Sequence, residues 1–218
     1  MPLNSTAKNV CLDALDESAT QITHIGIHTL TDPGTGTNAN SGEATGGSPA
    51  YARLAVTWGA ASGEVKSNTG ALLFDVPAGT YGFYTYWNNV TGNTNNYRGY
   101  APFGGSAAVK GFGVVDTTLT NDQILAPSHG LADNDRLLVF NVFGGTIPVG
   151  LTEGTVYFVV SSATHTFKVS TTQGGAAIDL TGLGNGQVYY QRVVPETFNS
   201  QGQISAAVGA LVLDASTM

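Results

Sequence analysis

Apolar residues recur at helical spacing in only one stretch of the chain. Between Ser5 and Glu17, the residues Ala7, Val10, Cys11, Ala14 and Leu15 fall on one stripe of a 3.6-residue period. Asn4 or Ser5 is placed to cap the start. Three turns with a narrow stripe can dock on a sheet but cannot build a core alone. Cys11 lies on this stripe and reads as a small buried hydrophobe.

After the helix the period becomes two, the signature of strands. Ile22, His24, Gly26 and His28 oppose Thr23, Ile25 and Ile27. The stretch Thr31 to Pro49 is polar and carries Asp32-Pro33-Gly34 and Gly46-Gly47-Ser48-Pro49, so it predicts one long surface loop. Tyr51 to Trp58 alternates, with Ala52, Leu54, Val56 and Trp58 opposed to Arg53 and Thr57. Leu72 to Val76 ends at the turn signal Pro77-Ala78-Gly79. Thr80 to Trp87 is aromatic on both faces, and Tyr97 to Phe103 is a second aromatic strand beyond an Asn/Gly/Thr loop. The texture shifts near Gly113. Expected strands then follow at Asp116–Leu125, Arg136–Phe143, Val156–Val160, Thr166–Ser170, Ala177–Leu180 and Gln187–Val194. Phe198 to Asp214 returns to alternation, as a terminal strand docking into an existing sheet would. Short strands punctuated by turns predict an all-β protein, a β-sandwich or barrel, with one short docked N-terminal helix.

Composition narrows the classes. Of 218 residues only 11% are charged, less than half of the ~25% usual in soluble domains. Eight Lys and Arg against 15 acids give a net charge of −7, too little positive charge to neutralise many phosphates. A coiled coil is excluded for want of a sustained heptad pattern. With 42% hydrophobic and 9% aromatic residues, the chain can bury enough surface to fold. The single cysteine rules out an internal disulfide. Met1 to Ala19 has no secretory-signal pattern, and no apolar run approaches the ~18 residues of a membrane helix. No nucleic-acid partner and no membrane insertion are therefore expected.

Candidate chemistry is sparse. His24 and His28, on one face of a strand, would sit about 13 Å apart, too far for one metal ion. They read as barrel-wall or surface residues. His129 and His165 read as loop or edge histidines. No Gly-x-Ser-x-Gly elbow or Cys/His signature is present, and the Gly-rich pieces lack the Lys-Ser/Thr of a phosphate loop. Asp32, Glu43 and Asp75 are the acids to inspect first for paired-carboxylate chemistry. Asp133-Asn134-Asp135 reads as a turn rather than a calcium loop, because the Gly and terminal Glu of such a loop are missing. The expectation is a protein that is not an enzyme, with no catalytic residue, metal or cofactor. The aromatic residues Tyr84, Tyr86, Trp87, Tyr97 and Tyr100, beside Asn88, Asn89, Asn93, Asn95 and Asn96, admit three readings: a core, a subunit or partner interface, or a sugar-stacking glycan contact.

Four ordered segments carry a resemblance: Thr23-His24-Ile25-Gly26-Ile27-His28-Thr29, Asp32 to Asn38, Gly46 to Arg53, and Val56 to Ser62. Together with Ala7–Leu15, Phe74–Thr80 and Val194–Phe198, this order resembles a family of small virion proteins of tailed phages infecting actinobacteria, labelled tail fibre or minor tail proteins. The likeness covers most of residues 5–112. It departs around Tyr84 to Tyr100, where this chain carries more Tyr and Asn. Ser128 to Arg136 (with His129-Gly130-Leu131), Thr146 to Val160 and Thr166 to Thr172 resemble a separate module found in phage structural proteins. The resemblance implies a β-sandwich of residues 1–112 and 194–218 that anchors to the particle, with 113–193 as a small inserted β-domain. It implies a virion location after assembly in the host cytoplasm. The expected partners are other virion proteins and further copies of this chain in a trimer or ring; a host cell-surface glycan is the partner only on the sugar-stacking reading of the aromatic residues. Tail tip or fibre is the first location; the alternatives are a capsid decoration protein, or a lectin-like receptor-binding module that uses Tyr84, Tyr86, Trp87, Tyr97 and Tyr100.

Overall fold

The computed structural model describes residues 4–17, 21–31, 33–34, 36–104, 110–116, 121–140, 145–185 and 187–215. Asp32, and parts of the strands expected at 116–125 and 136–143, lie outside them. The chain is all-β with one helix, and it divides into two compact units. The first comprises Met1–Thr29, Pro33–Ala101 and Glu196–Met218; the second comprises Leu30–Asp32 and Pro102–Pro195.

In the first unit the helix α1 spans Ser5–Glu17. The Asn4 side-chain oxygen accepts from the Ala7 N–H at 2.9 Å, satisfying a donor the helix cannot pair itself. The docking face differs from the expected stripe. Lys8 and Leu12 are buried, whereas Val10 is 63% exposed and Cys11 is exposed. The positions that meet the rest of the unit, Ser5, Lys8, Asn9, Leu12 and Asp13, keep helical spacing but only one of them is apolar. The helix docks through hydrogen bonds and ion pairs, so Val10, Cys11 and Ala14 of its apolar stripe are left exposed. That is why the expectation of a buried Cys11 is corrected.

The unit is organised on β5 (Gly79–Trp87), which pairs antiparallel with β1 (His24–Thr29), in register His24↔Trp87 to Thr29↔Tyr81. β2 (Leu54–Ala55) extends the sheet from β1, while β6 (Tyr97–Pro102) and β13 (Glu196–Phe198) also pair with β5. Two further ladders join β4 (Leu72–Val76) to β14 (Gly202–Ala206) and β3 (Val65–Ser67) to β15 (Val212–Asp214). The buried apolar residues include Ile25, Ile27, Phe74, Phe83, Tyr86, Trp87 and Ile204. Only Leu54–Ala55 of the strand expected over 51–58 is regular, and the buried member of that segment is Arg53 rather than Ala52. Its guanidinium turns inward because a carboxylate and two carbonyls await it there.

The second unit is a closed antiparallel barrel in the order β10-β11-β8-β7-β12-β9. Its strands are β7 (Lys110–Val115), β8 (Ile124–Leu125), β9 (Arg136–Phe140), β10 (Val156–Val160), β11 (Thr166–Ser170) and β12 (Gln187–Val193). Closure leaves no unpaired sheet edge. Ile124, Leu137, Val139, Val159, Phe167, Val188 and Tyr190 are among the residues that fill it. The Tyr190 ring lies where a Cβ on Gly111 would be, so a side chain there would have to displace the ring. Ala177–Leu180 is irregular rather than a strand: it lies along β11 through one Ile178 N–H to Val169 carbonyl bond and is held by Leu180 N–H to Asp122.

Candidate functional site

One cluster of chemically active side chains surrounds Arg53. Its Nε donates to Glu43 Oε1 at 2.6 Å and its Nη2 to Oε2 at 2.7 Å, a bidentate pair. Its Nη1 donates to the carbonyls of Gly92 at 2.8 Å and Asn89 at 3.3 Å. The guanidinium carbon lies 3.3 Å from the centroid of the Trp87 ring. The Tyr51 hydroxyl donates to Glu43 Oε1 at 3.1 Å and accepts from the Ile27 N–H at 2.9 Å. Burial, and the Glu43 charge after it, push the Tyr51 phenol far above its ordinary value, so it stays a neutral donor. Trp87 Nε1 donates to Thr85 Oγ1 at 2.9 Å.

Gly26 makes this arrangement possible. A Cβ there would meet Thr85 Oγ1 at 2.7 Å, Trp87 Nε1 at 2.9 Å and the Tyr51 oxygen at 3.0 Å. His24, half-buried at the same end of β1, shares a hydrogen bond with Thr23 Oγ1 at 2.9 Å. Burial first, and the Arg53 charge second, hold its imidazole below the ordinary value. His28 is not a wall or surface residue but fully buried, with Nε2 3.2 Å from the Asn40 carbonyl and Nδ1 3.4 Å from that of Thr29.

The asparagines fasten one loop to another. Asn93 accepts from the Ala39 N–H and donates to the Ala39 carbonyl, both at 2.8 Å. Asn38 accepts from the Asn95 N–H at 2.8 Å, and the Tyr97 hydroxyl donates to the Gly34 carbonyl at 2.9 Å. The loop that follows β1 thus gains backbone partners from the loop between β5 and β6 instead of from a ladder.

The five aromatic residues singled out in the sequence separate. Tyr86, Trp87 and Tyr97 are buried; Tyr84 and Tyr100 are half-buried. Trp87 and Tyr97 meet edge to face at 5.2 Å and pack with Ala39, while Tyr100 meets Phe83 at 5.4 Å. The Tyr84 hydroxyl donates to the Ser205 carbonyl at 3.2 Å, and burial pushes its phenol up to about 12. Burial raises Tyr86 as well. Of the acids, Glu43 is engaged as above and Asp75 accepts from Gln203 at 3.0 Å.

The barrel repeats this use of polar groups. His129 is buried: its Nδ1 accepts from the Leu131 N–H at 3.0 Å, and its Nε2 faces the Ala163 carbonyl at 2.7 Å. That pairing assigns the proton to Nε2. His165 Nδ1 accepts from the Ser128 N–H at 3.1 Å. Asp133 accepts from the Ser162 N–H, and Asp135 accepts from the Ala132 N–H while pairing with Arg192 at 2.8 Å. Asp133-Asn134-Asp135 is a turn, with Asn134 at φ 74°.

Among the described residues no three His, Cys, Asp or Glu side chains are placed to share a metal ion, and no helix is long and apolar enough to cross a membrane. The class the fold defines is an all-β protein whose buried polar side chains serve its loops. Comparison with protein-family models, curated proteins and solved structures gave no match.

Proposed function

We propose that this chain is a non-enzymatic structural component of a tailed-phage particle, acting through protein–protein contacts at the tail tip or fibre. The resemblance of its ordered segments to phage tail proteins motivates the class. The observation that carries the reading is the engagement of the Arg53 cluster: Glu43, Tyr51 and Arg53 all bond one another or the backbone. A carboxylate held by a guanidinium and a phenol is poorly suited to accept a proton from a substrate.

Exposed apolar side chains support a contact role. Val114 and Leu125 are cross-strand partners on the barrel, both exposed, and Leu73, Val149, Val208 and Val212 stand out elsewhere. Covering such a surface desolvates few charges, since charged residues are 11% of the chain. Self-association as a trimer or ring belongs to the proposal, because particle components assemble with symmetry.

Antibodies raised against the folded chain, applied to purified particles and imaged by electron microscopy, test the location. Label at the tail tip is expected. Label over the capsid would move the assignment to a decoration protein, and unlabelled particles would overturn it.

A further inference from the structure

The barrel closes its own edges, but the first unit leaves one open. β4 is paired on one side only, with β14, and among the described residues no strand is bonded to its other side. The register sets Leu73 opposite Ser205 and Asp75 opposite Gln203. The Ser205 carbonyl accepts from the Tyr84 hydroxyl at 3.2 Å, so it faces away from β4. Leu73 and Ser205 are therefore a non-hydrogen-bonded pair of the ladder, and the Leu73 N–H and C=O also point away, to the open side. Orientation repeats every second residue, so the Asp75 N–H and C=O point the same way. No described residue bonds these outward groups of Leu73 or Asp75.

An open edge is a template for another strand, and proteins blunt it with lysine, proline, a bulge or a covering segment. β4 reads Leu-Leu-Phe-Asp-Val, without lysine or proline, and its register with β14 runs without a bulge. Its single charge, Asp75, accepts from Gln203 Nε2 at 3.0 Å and is thereby held to its own ladder. Leu73 is 53% exposed, while its neighbours Leu72, Phe74 and Val76 are buried.

We propose that β4 is a self-association edge: two copies of the chain pair β4 to β4, antiparallel, across a two-fold axis at Leu73. The result is a four-stranded sheet in the order β14-β4-β4-β14. A second copy is the occupant this strand fits, because antiparallel pairing about a two-fold axis is self-complementary. The Leu73 N–H and C=O exchange bonds with their equivalents, and both open edges are consumed at once. Leu73 then lies against Leu73 of the second copy, a cross-strand apolar pair that covers both exposed side chains. Charge selects this register. Each chain carries a net charge of −7, so two copies repel over most of their surfaces. An axis at Asp75 would set the two carboxylates directly opposite, and one at Phe74 would set each against Leu73. The axis at Leu73 sets Asp75 opposite the uncharged Ala71. The two carboxylates are then four residues, about 13 Å, apart along the strands. That exceeds the ~8 Å screening length at physiological salt. This contact goes beyond the trimer or ring of the proposed function and does not rest on it, because a two-fold pairing closes after two copies.

Sedimentation velocity of the purified full chain at rising concentration tests the pairing, together with amide hydrogen exchange over Leu72–Val76. A monomer–dimer equilibrium is expected, with exchange at the Leu73 and Asp75 amides slowing as the dimer forms. Leu73→Lys and Leu73→Glu each place like charges opposite one another across the axis, and each is expected to weaken dimerisation at least about tenfold. Because Leu73 is exposed, neither change disturbs the core. Mixing the two variants is expected to restore the dimer, since the axis then pairs opposite charges. A chain monomeric at every concentration would overturn the pairing in favour of a foreign strand at this edge. A dimer whose Leu73 amide exchanges unchanged would overturn it, and so would variants that fail to rescue each other. A trimer or ring indifferent to both substitutions would overturn it while leaving the proposed function standing.

Discussion

Removing the Glu43 carboxylate tests whether the Arg53 cluster holds the first unit together. Glu43→Ala deletes both charge-assisted bonds from Arg53 and the acceptor of the Tyr51 hydroxyl. The guanidinium keeps its bonds to the Gly92 and Asn89 carbonyls and its place over Trp87. Because Arg53 is only 7% exposed, its charge stays buried and unpaired. Breaking a buried pair from one side costs about 3–5 kcal/mol, and the partial exposure of Glu43 places this case near the lower end, ~3 kcal/mol. Both tryptophans of the chain, Trp58 and Trp87, belong to this unit, so their fluorescence reports its unfolding apart from the barrel. With a urea dependence of about 1–3 kcal/mol per molar, the midpoint should fall by roughly 1–3 M. The double change Glu43→Leu with Arg53→Met should recover most of the loss, since no charge is then stranded. A midpoint within experimental error of the unsubstituted protein would refute the reasoning.

Three further outcomes follow from the same geometry. Gly26→Ala forces a methyl against Thr85, Trp87 and Tyr51, and should lower stability by about 1–3 kcal/mol in the same urea assay. Asn93→Ala removes two bonds to the Ala39 backbone; hydrogen exchange of the Ala39 amide should accelerate at least about tenfold while the barrel amides are unchanged. His24 has its proton affinity lowered by folding, so the unfolded chain takes up a proton first as pH falls below the ordinary 6.5. Urea midpoints measured from pH 7.5 to 5.5 should therefore decline on acidification, and His24→Gln should flatten that decline.

Element positions were largely legible in the sequence, and the reasons for burial were not. The helix over Ser5–Glu17 has the bounds its capping residue and period predict, and the run Leu72–Val76 is the strand β4. Periodicity reports spacing, however, not which face turns inward. In α1 the docked face carries Lys8, Asn9 and Asp13 because partners across the interface satisfy them. The same blindness concealed Arg53, whose partner Glu43 lies ten residues away in a loop with no period. Asn93 and Ala39 are 54 residues apart, and Asn68 reaches the Leu211 N–H across 143. Pairings of that range leave no local mark. The aromatic run from Tyr81 to Trp87 pointed to the central strand, but a pattern aromatic on both faces could not tell enclosed rings from exposed ones. Asn beside Tyr resembles a sugar site in a sequence; here it ties two loops. The barrel motif His129-Gly130-Leu131 is explained by loop closure, since His129 bonds a backbone N–H and a carbonyl from two separate segments.

The most direct test of a structural role in the particle is the number of copies it holds. On the proposed function, purified tailed-phage particles from cells expressing this chain can be digested and quantified by mass spectrometry against isotope-labelled peptides from it. A small, fixed number of copies per particle, in a ratio set by the tail's symmetry, is the predicted result. A chain absent from purified particles yet abundant in the infected-cell lysate would contradict the account.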